Sequence, residues 1–259
     1  MNGFTVNRAV RLAAALCMLS ALTVVRAEEL VVPAYFDPYD AGLTQWNTLA
    51  TTARTVPTTV ILNPDSGPGK TADAQYVAAI ARVRAAGGKV IGYVSTSYGK
   101  RSLSAVVKDI NTYLAFYKID GFFIDEMTAD SKIAHIQYYQ SVYNYIKGLT
   151  PASAALSVTG NPGTSMPELY ASLPVADRFV VFEDNAKHYA KYVPAAWQAS
   201  YPRSRFVHMV IGVAAAQEAG LVEGALARGA GGVYVTSGGM PDPYAALPKY
   251  WSQEVAAAR

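Results

Sequence analysis

The chain of 259 residues holds one cysteine and three histidines. Cys17 lies in an apolar run near the N-terminus and follows Leu16, not the small residue that a lipoprotein signal needs. Arg8 and Arg11 precede this run, which extends from Leu12 to Val25, and "VRA" at 25–27 has the spacing of a signal-peptidase site. Residues 1–27 are therefore expected to be a signal peptide and 28–259 the mature domain. Cleavage after Ala27 leaves no cysteine, which excludes disulfides and thiol chemistry. The apolar run is too short for a stable membrane anchor, so the expected product is secreted or periplasmic.

Charge is scarce too, at 16% of residues. The leader takes Arg8, Arg11 and Arg26 but no acid, so 22 Lys+Arg become 19 against 19 Asp+Glu. A near-neutral domain gives no support to a nucleic-acid or anionic-membrane partner. His135, His188 and His208 form no H-x-H pair, whereas metal-dependent barrels gather several histidines with Asp or Glu. No metal and no cofactor is expected. No lysine sits near the C-terminal end of a predicted strand, which leaves a Schiff base without a carrier. Ser95 and Ser237 lack a histidine and acid in workable order for a hydrolase triad. Gly238-Gly239 reads as a turn and not as a phosphate cradle, because no partner glycine run follows strand seven.

What the chain does have is a recurring unit: a β-branched or aromatic run, a polar corner, then an amphipathic stretch. Eight runs read as strands, at 29–36, 57–63, 89–95, 119–125, 154–160, 177–183, 205–212 and 231–237. Helical periodicity marks several intervals, such as Tyr76, Val77, Ile80 and Val83 before Gly87-Gly88. Alternating strands and helices imply parallel pairing with crossovers. Eight units in this length predict a single (β/α)8 TIM-type barrel. An open doubly wound sheet would need G-x-G-x-x-G after strand one, where the chain reads "VPAYFDPYDAG".

In such a barrel, function gathers at the carboxyl ends of the strands. Those ends present Tyr35 and Asp37, Asn63, Tyr93 and Ser95, the pair Asp125 and Glu126, Asn161, Glu183 and Asp184, His208 and Tyr234. Acids on strands four and six sit two strands apart on one rim, as the two-carboxylate chemistry of glycoside hydrolysis requires. Tyr35, Tyr93, Tyr98 and Tyr234 offer flat faces to sugar rings, and Asn63, Asn161 and Asp184 offer hydrogen bonds to hydroxyl or acetamido groups. Strand alternation leaves open which of Asp125 and Glu126, and which of Glu183 and Asp184, faces the pocket.

The segments "VPAYFDP", "VPTTVILNPDSGPG", "GKVIGYVSTSYGKR" and "IDGFFIDEM" together resemble the spherulin-4-like (spherulation-specific family 4) proteins, which include glycoside hydrolase family 135. That resemblance implies a secreted, endo-acting α-1,4-N-acetylgalactosaminidase on a (β/α)8 barrel, cutting galactosamine-containing exopolysaccharide of biofilm matrices. It matches the family's acids to Asp125, Glu126 and Glu183. By analogy with retaining α-glycosidases, it implies Asp125 as nucleophile, Glu183 as acid/base with a raised pKa, and Glu126 as an orienting group. The rival expectations are a non-catalytic polysaccharide-binding wall or matrix protein, and a barrel glycosidase of other sugar specificity.

Overall fold

The computed structural model describes residues 29–151 and 155–259, so the expected leader lies outside the described residues. The strands are β1 (Glu29–Ala34), β2 (Thr58–Leu62), β3 (Lys89–Ser95), β4 (Gly121–Asp125), β5 (Ser157–Gly160), β6 (Arg178–Asn185), β7 (Phe206–Ile211) and β8 (Gly232–Val235). They pair in parallel, in chain order, and β8 closes on β1. The expected TIM-type barrel is the observed fold. β3 coincides with its expected span. The others are trimmed at one or both ends, and β6 runs on past Glu183 to Asn185.

Among the described residues eight α-helices lie between or after the strands: α1 (Asp40–Thr52), α2 (Ala74–Ala85), α3 (Leu103–Phe116), α4 (Ile133–Gly148), α5 (Leu169–Ser172), α6 (Ala186–Tyr189), α7 (Ala215–Ala227) and α8 (Trp251–Ala257). Asp73 caps α2 by accepting from the Gln75 N–H at 2.8 Å, and Ser102 caps α3 by accepting from the Ala105 N–H at 3.3 Å. The fifth and sixth crossovers have only single-turn α-helices, and two 3-10 turns, Ala196–Ser200 and Arg203–Arg205, complete the sixth. Gly92 shows how tightly the layers meet. A Cβ there would lie 2.9 Å from the Tyr113 ring of α3. Among the described residues no helix is long and apolar enough to cross a membrane.

The barrel interior can be traced by side-chain contacts. At its amino end Glu29 of β1 takes hydrogen bonds from Thr59 of β2 and, at 2.6 Å, from Arg178 of β6. Arg178 also donates to Thr159 of β5 at 2.9 Å. β1 and β6 are not neighbours, so this ion pair crosses the interior and plugs its floor. Alternation then carries Tyr35, Tyr93, Ser95, Asp125 and Asn161 inward at the opposite, carboxyl end.

Strand β6 departs from simple alternation. Counting by twos from inward Arg178 would point Asp184 in and Glu183 out. The pairing with β7 instead skips a residue, running from Val180↔Val207 to Phe182↔His208. This bulge at Val181 reverses the faces beyond it. Phe182 then packs outward on Tyr189, Tyr192 and His208, and Glu183 turns into the barrel.

Candidate active site

One amide joins the two acids that the bulge and the alternation bring together. Asn161, immediately after β5, is 7% exposed, and its Nδ2 donates to Asp125 Oδ1 and to Glu183 Oε2, both at 2.7 Å. Twice 2.7 Å bounds the separation of those oxygens at 5.4 Å. That is within the spacing of retaining glycosidases, in which one acid attacks directly. Gly163, at φ 65°, follows closely. A Cβ there would meet the Glu183 Cβ at 3.6 Å and Asn161 Oδ1 at 3.7 Å.

Each acid has a tyrosine of its own. The Tyr244 hydroxyl donates to Glu183 Oε1 at 2.6 Å. The Tyr93 hydroxyl hydrogen-bonds Asp125. Tyr35 stands between these two rings, edge-on to Tyr93 at 5.8 Å and to Tyr244 at 5.5 Å between centroids. Burial, followed by the charges of Asp125 and Glu183, pushes the Tyr35 phenol pKa well up, so all three rings remain neutral donors or walls.

Burial, and after it the charge of Glu183, also lifts the Asp125 carboxyl from its ordinary 3.8 to about 6. Hydrogen bonds from the Glu126 N–H, Tyr93 and Asn161 oppose that lift without cancelling it.

Glu126 does not follow strand alternation. Its φ of 53° is left-handed, and its carboxylate bends back to accept from Ser95 Oγ on the inward face of β3. Thr96 holds this kink by donating its Oγ1 to the carbonyls of both Asp125 and Glu126 at 2.9 Å. Asp125 and Glu126 therefore serve the same side of the barrel.

Other rim residues take different places. Asp184 faces away from the pair, with Oδ2 2.6 Å from the Nδ1 of His188, and its Oδ1 accepts from the Asn185 N–H at 2.7 Å. Asn63 shapes the loop after β2 by accepting from the Gly67 N–H at 2.9 Å. Asp37 accepts from the Tyr76 hydroxyl at 2.8 Å and lines a separate polar hollow with Tyr39, Asp65 and Asp73.

Two expectations are corrected. His208 is fully buried on the outer face of β7, where Nδ1 meets the Tyr189 hydroxyl at 2.8 Å, and burial followed by the Arg228 charge pushes its pKa down to about 3. It packs the helix layer and cannot reach a ligand. Tyr234 is also fully buried, against Tyr244 and Trp251, and so backs the site instead of lining it. The residue missed from the sequence is Tyr244. The only signal for it was a tyrosine in the long Pro-rich connection after strand eight, on the rim where barrel loops carry function.

Fold and site together define a class: a (β/α)8 barrel with the paired-acid centre of a barrel glycoside hydrolase. The profile of Spherulation-specific family 4 matches residues 29–258, and the chain belongs to that family. Spherulin-4 of Physarum polycephalum is 36% identical over 242 residues, covering 88% of this chain and 69% of the relative. The structure of Aspergillus clavatus Sph3, solved in complex with GalNAc, superposes with a TM-score of 0.78 at 26% identity, over 90% of this chain and 98% of that one. A chitinase from Chromobacterium violaceum shares the fold, at a TM-score of 0.58 and 10% identity over 90% of this chain and 99% of its own.

Proposed function

We propose that this protein is a secreted or periplasmic endo-acting glycoside hydrolase that cuts α-1,4-linked N-acetylgalactosamine/galactosamine polysaccharide with retention of configuration. The observation that carries the reading is the Asp125–Asn161–Glu183 bridge, with its carboxylate oxygens at most 5.4 Å apart. GalNAc in the complex of Sph3, a similar barrel, supports the amino-sugar class. A rim with three carboxylates on a near-neutral domain suits a partly deacetylated, cationic polymer.

In the first role assignment, Asp125 attacks the anomeric carbon as the glycosidic C–O bond breaks, and Glu183 delivers its proton to the leaving oxygen. Glu183 then takes a proton from water, whose oxygen displaces Asp125 and restores both acids. Tyr93 steadies Asp125, Tyr244 steadies Glu183, and Glu126 orients substrate from the Ser95 side.

One observation favours a second assignment. Burial and the Glu183 charge lift the Asp125 carboxyl to about 6. A carboxyl with a raised pKa suits the general acid, which would make Glu183 the nucleophile.

The test is incubation of the 28–259 protein with partially deacetylated α-1,4-linked N-acetylgalactosamine polymer, with mass spectrometry of the soluble products. Oligosaccharides from the parent, and none from Asp125→Asn or Glu183→Gln, are expected. Polymer retained by the protein but never cut would replace this reading with a polysaccharide-binding wall or matrix protein.

A further inference from the structure

Of the tyrosines expected to meet sugar, Tyr98 alone is turned to solvent. The residue is 54% exposed, and among the described residues its hydroxyl makes no hydrogen bond and its ring no aromatic contact. Its backbone is just as unusual. Ser97, Tyr98 and Gly99 are left-handed in succession, with φ of 47°, 55° and 73°. The first two carry side chains that disfavour this conformation.

The strained turn is welded to the acid-bearing strand end. The Tyr98 N–H donates to the Glu126 carbonyl at 2.7 Å, the Arg101 N–H to the Thr96 carbonyl at 3.2 Å, and Arg101 Nη1 to the Ser95 carbonyl at 2.7 Å. Partial burial, and then the charges of Glu126, Asp125 and Glu183, raise the Tyr98 phenol pKa, which places all three carboxylates within its electrostatic reach. An exposed aromatic ring gains nothing from water, and a left-handed non-glycine residue costs folding energy. The chain maintains both at the edge of the acid cluster.

We infer that Tyr98 is a platform on which one sugar ring of an amino-sugar polymer stacks, beside the bond held between Asp125 and Glu183. This inference rests on the polysaccharide reading of the site. The apolar C–H face of a pyranose matches the flat ring. A free ammonium group on that sugar is attracted both to the ring face and to the nearby carboxylates.

The experiment measures retention of the same polymer by affinity electrophoresis, in an uncut background of Asp125→Asn, comparing Tyr98 with Tyr98→Phe, Tyr98→Ala and Tyr98→Gly. Tyr98→Phe is expected to bind like Tyr98, and the Ala and Gly variants about tenfold more weakly or worse. Tyr98→Gly is also expected to melt at or above the temperature of its Asp125→Asn parent, because glycine relieves the left-handed backbone. Equal retention by all four proteins overturns the platform and leaves the polysaccharide reading standing. No retention by any of the four, the Tyr98 protein included, overturns both.

Discussion

The Tyr244 hydroxyl donates to Glu183 Oε1 at 2.6 Å while Asn161 holds Oε2 at 2.7 Å, so both oxygens of Glu183 are fixed before substrate arrives. Tyr244 comes from the loop after β8, which is tied to α1 by the Leu247 N–H donating to Gln45 Oε1 at 2.6 Å. Its ring is braced by Tyr35 and Tyr234.

Tyr244→Phe keeps that packing and removes one donor to Glu183. We expect kcat to fall about 10- to 100-fold with KM little changed, the scale of a misplaced reacting group. Steady-state kinetics, with a melting curve to confirm folding, checks this. An unchanged kcat would remove Tyr244 from the mechanism.

Asn161→Ala leaves the two acids face to face without their shared donor. Asp125 should then bind its proton more tightly than at about 6, since a hydrogen bond that lowers its pKa is gone. A carbon-13 titration of labelled carboxyls reads this without any turnover.

The pH dependence of the parent is the same under both role assignments. Activity should fall as pH rises through about 6, where the coupled pair loses the one proton that the leaving oxygen needs, and a rate that climbs through that range in a pH–rate profile would contradict the paired-acid account. Stability has one sign in both cases. A folded-state pKa raised from 3.8 to about 6 means stability present at low pH and lost as pH rises between those values, about 3 kcal/mol in all. Asp125→Asn should therefore melt above the parent at pH 8, with the difference shrinking toward pH 4.

A second buried acid gives a test away from the site. Glu254 of α8 is fully buried and accepts the Val235 N–H at 2.7 Å with Oε1, while its Oε2 and both oxygens of buried Glu218 have no partner. Burial, opposed by the Val235 N–H and aided by the Glu218 charge, holds its pKa well above 4.5. Ionisation thus works against the fold as pH rises. Glu254→Gln keeps the Val235 contact, and should stabilise the protein on the order of 1–3 kcal/mol at pH 8 and much less at pH 5 by chemical denaturation.

Much of this was legible in the sequence, for physical reasons that vary by element. Strands buried on both faces announce themselves as runs such as "TTVIL" and "FVHMVI". α3 (Leu103–Phe116) carries its buried stripe of Val106, Ile110 and Tyr113 at helical spacing. α1 was not legible, because its buried face mixes Trp46 and Leu49 with Thr52. In the site, alternation alone stalled at Asp125/Glu126 and at Glu183/Asp184. The first ambiguity ends in a left-handed Glu126 and the second in the bulge at Val181, and neither leaves a mark in the residue pattern. His208 was misplaced for want of knowing the face of β7. Tyr244 was missed because it is brought in by a loop and not by a strand.

The most direct test of the paired-acid account is the configuration of the first sugar end released, followed by proton NMR during early turnover. Acids whose facing oxygens are no more than 5.4 Å apart predict that the new reducing end appears first as the α-anomer and only later equilibrates. A β-anomer appearing first would mean that water attacked directly, and would contradict the account.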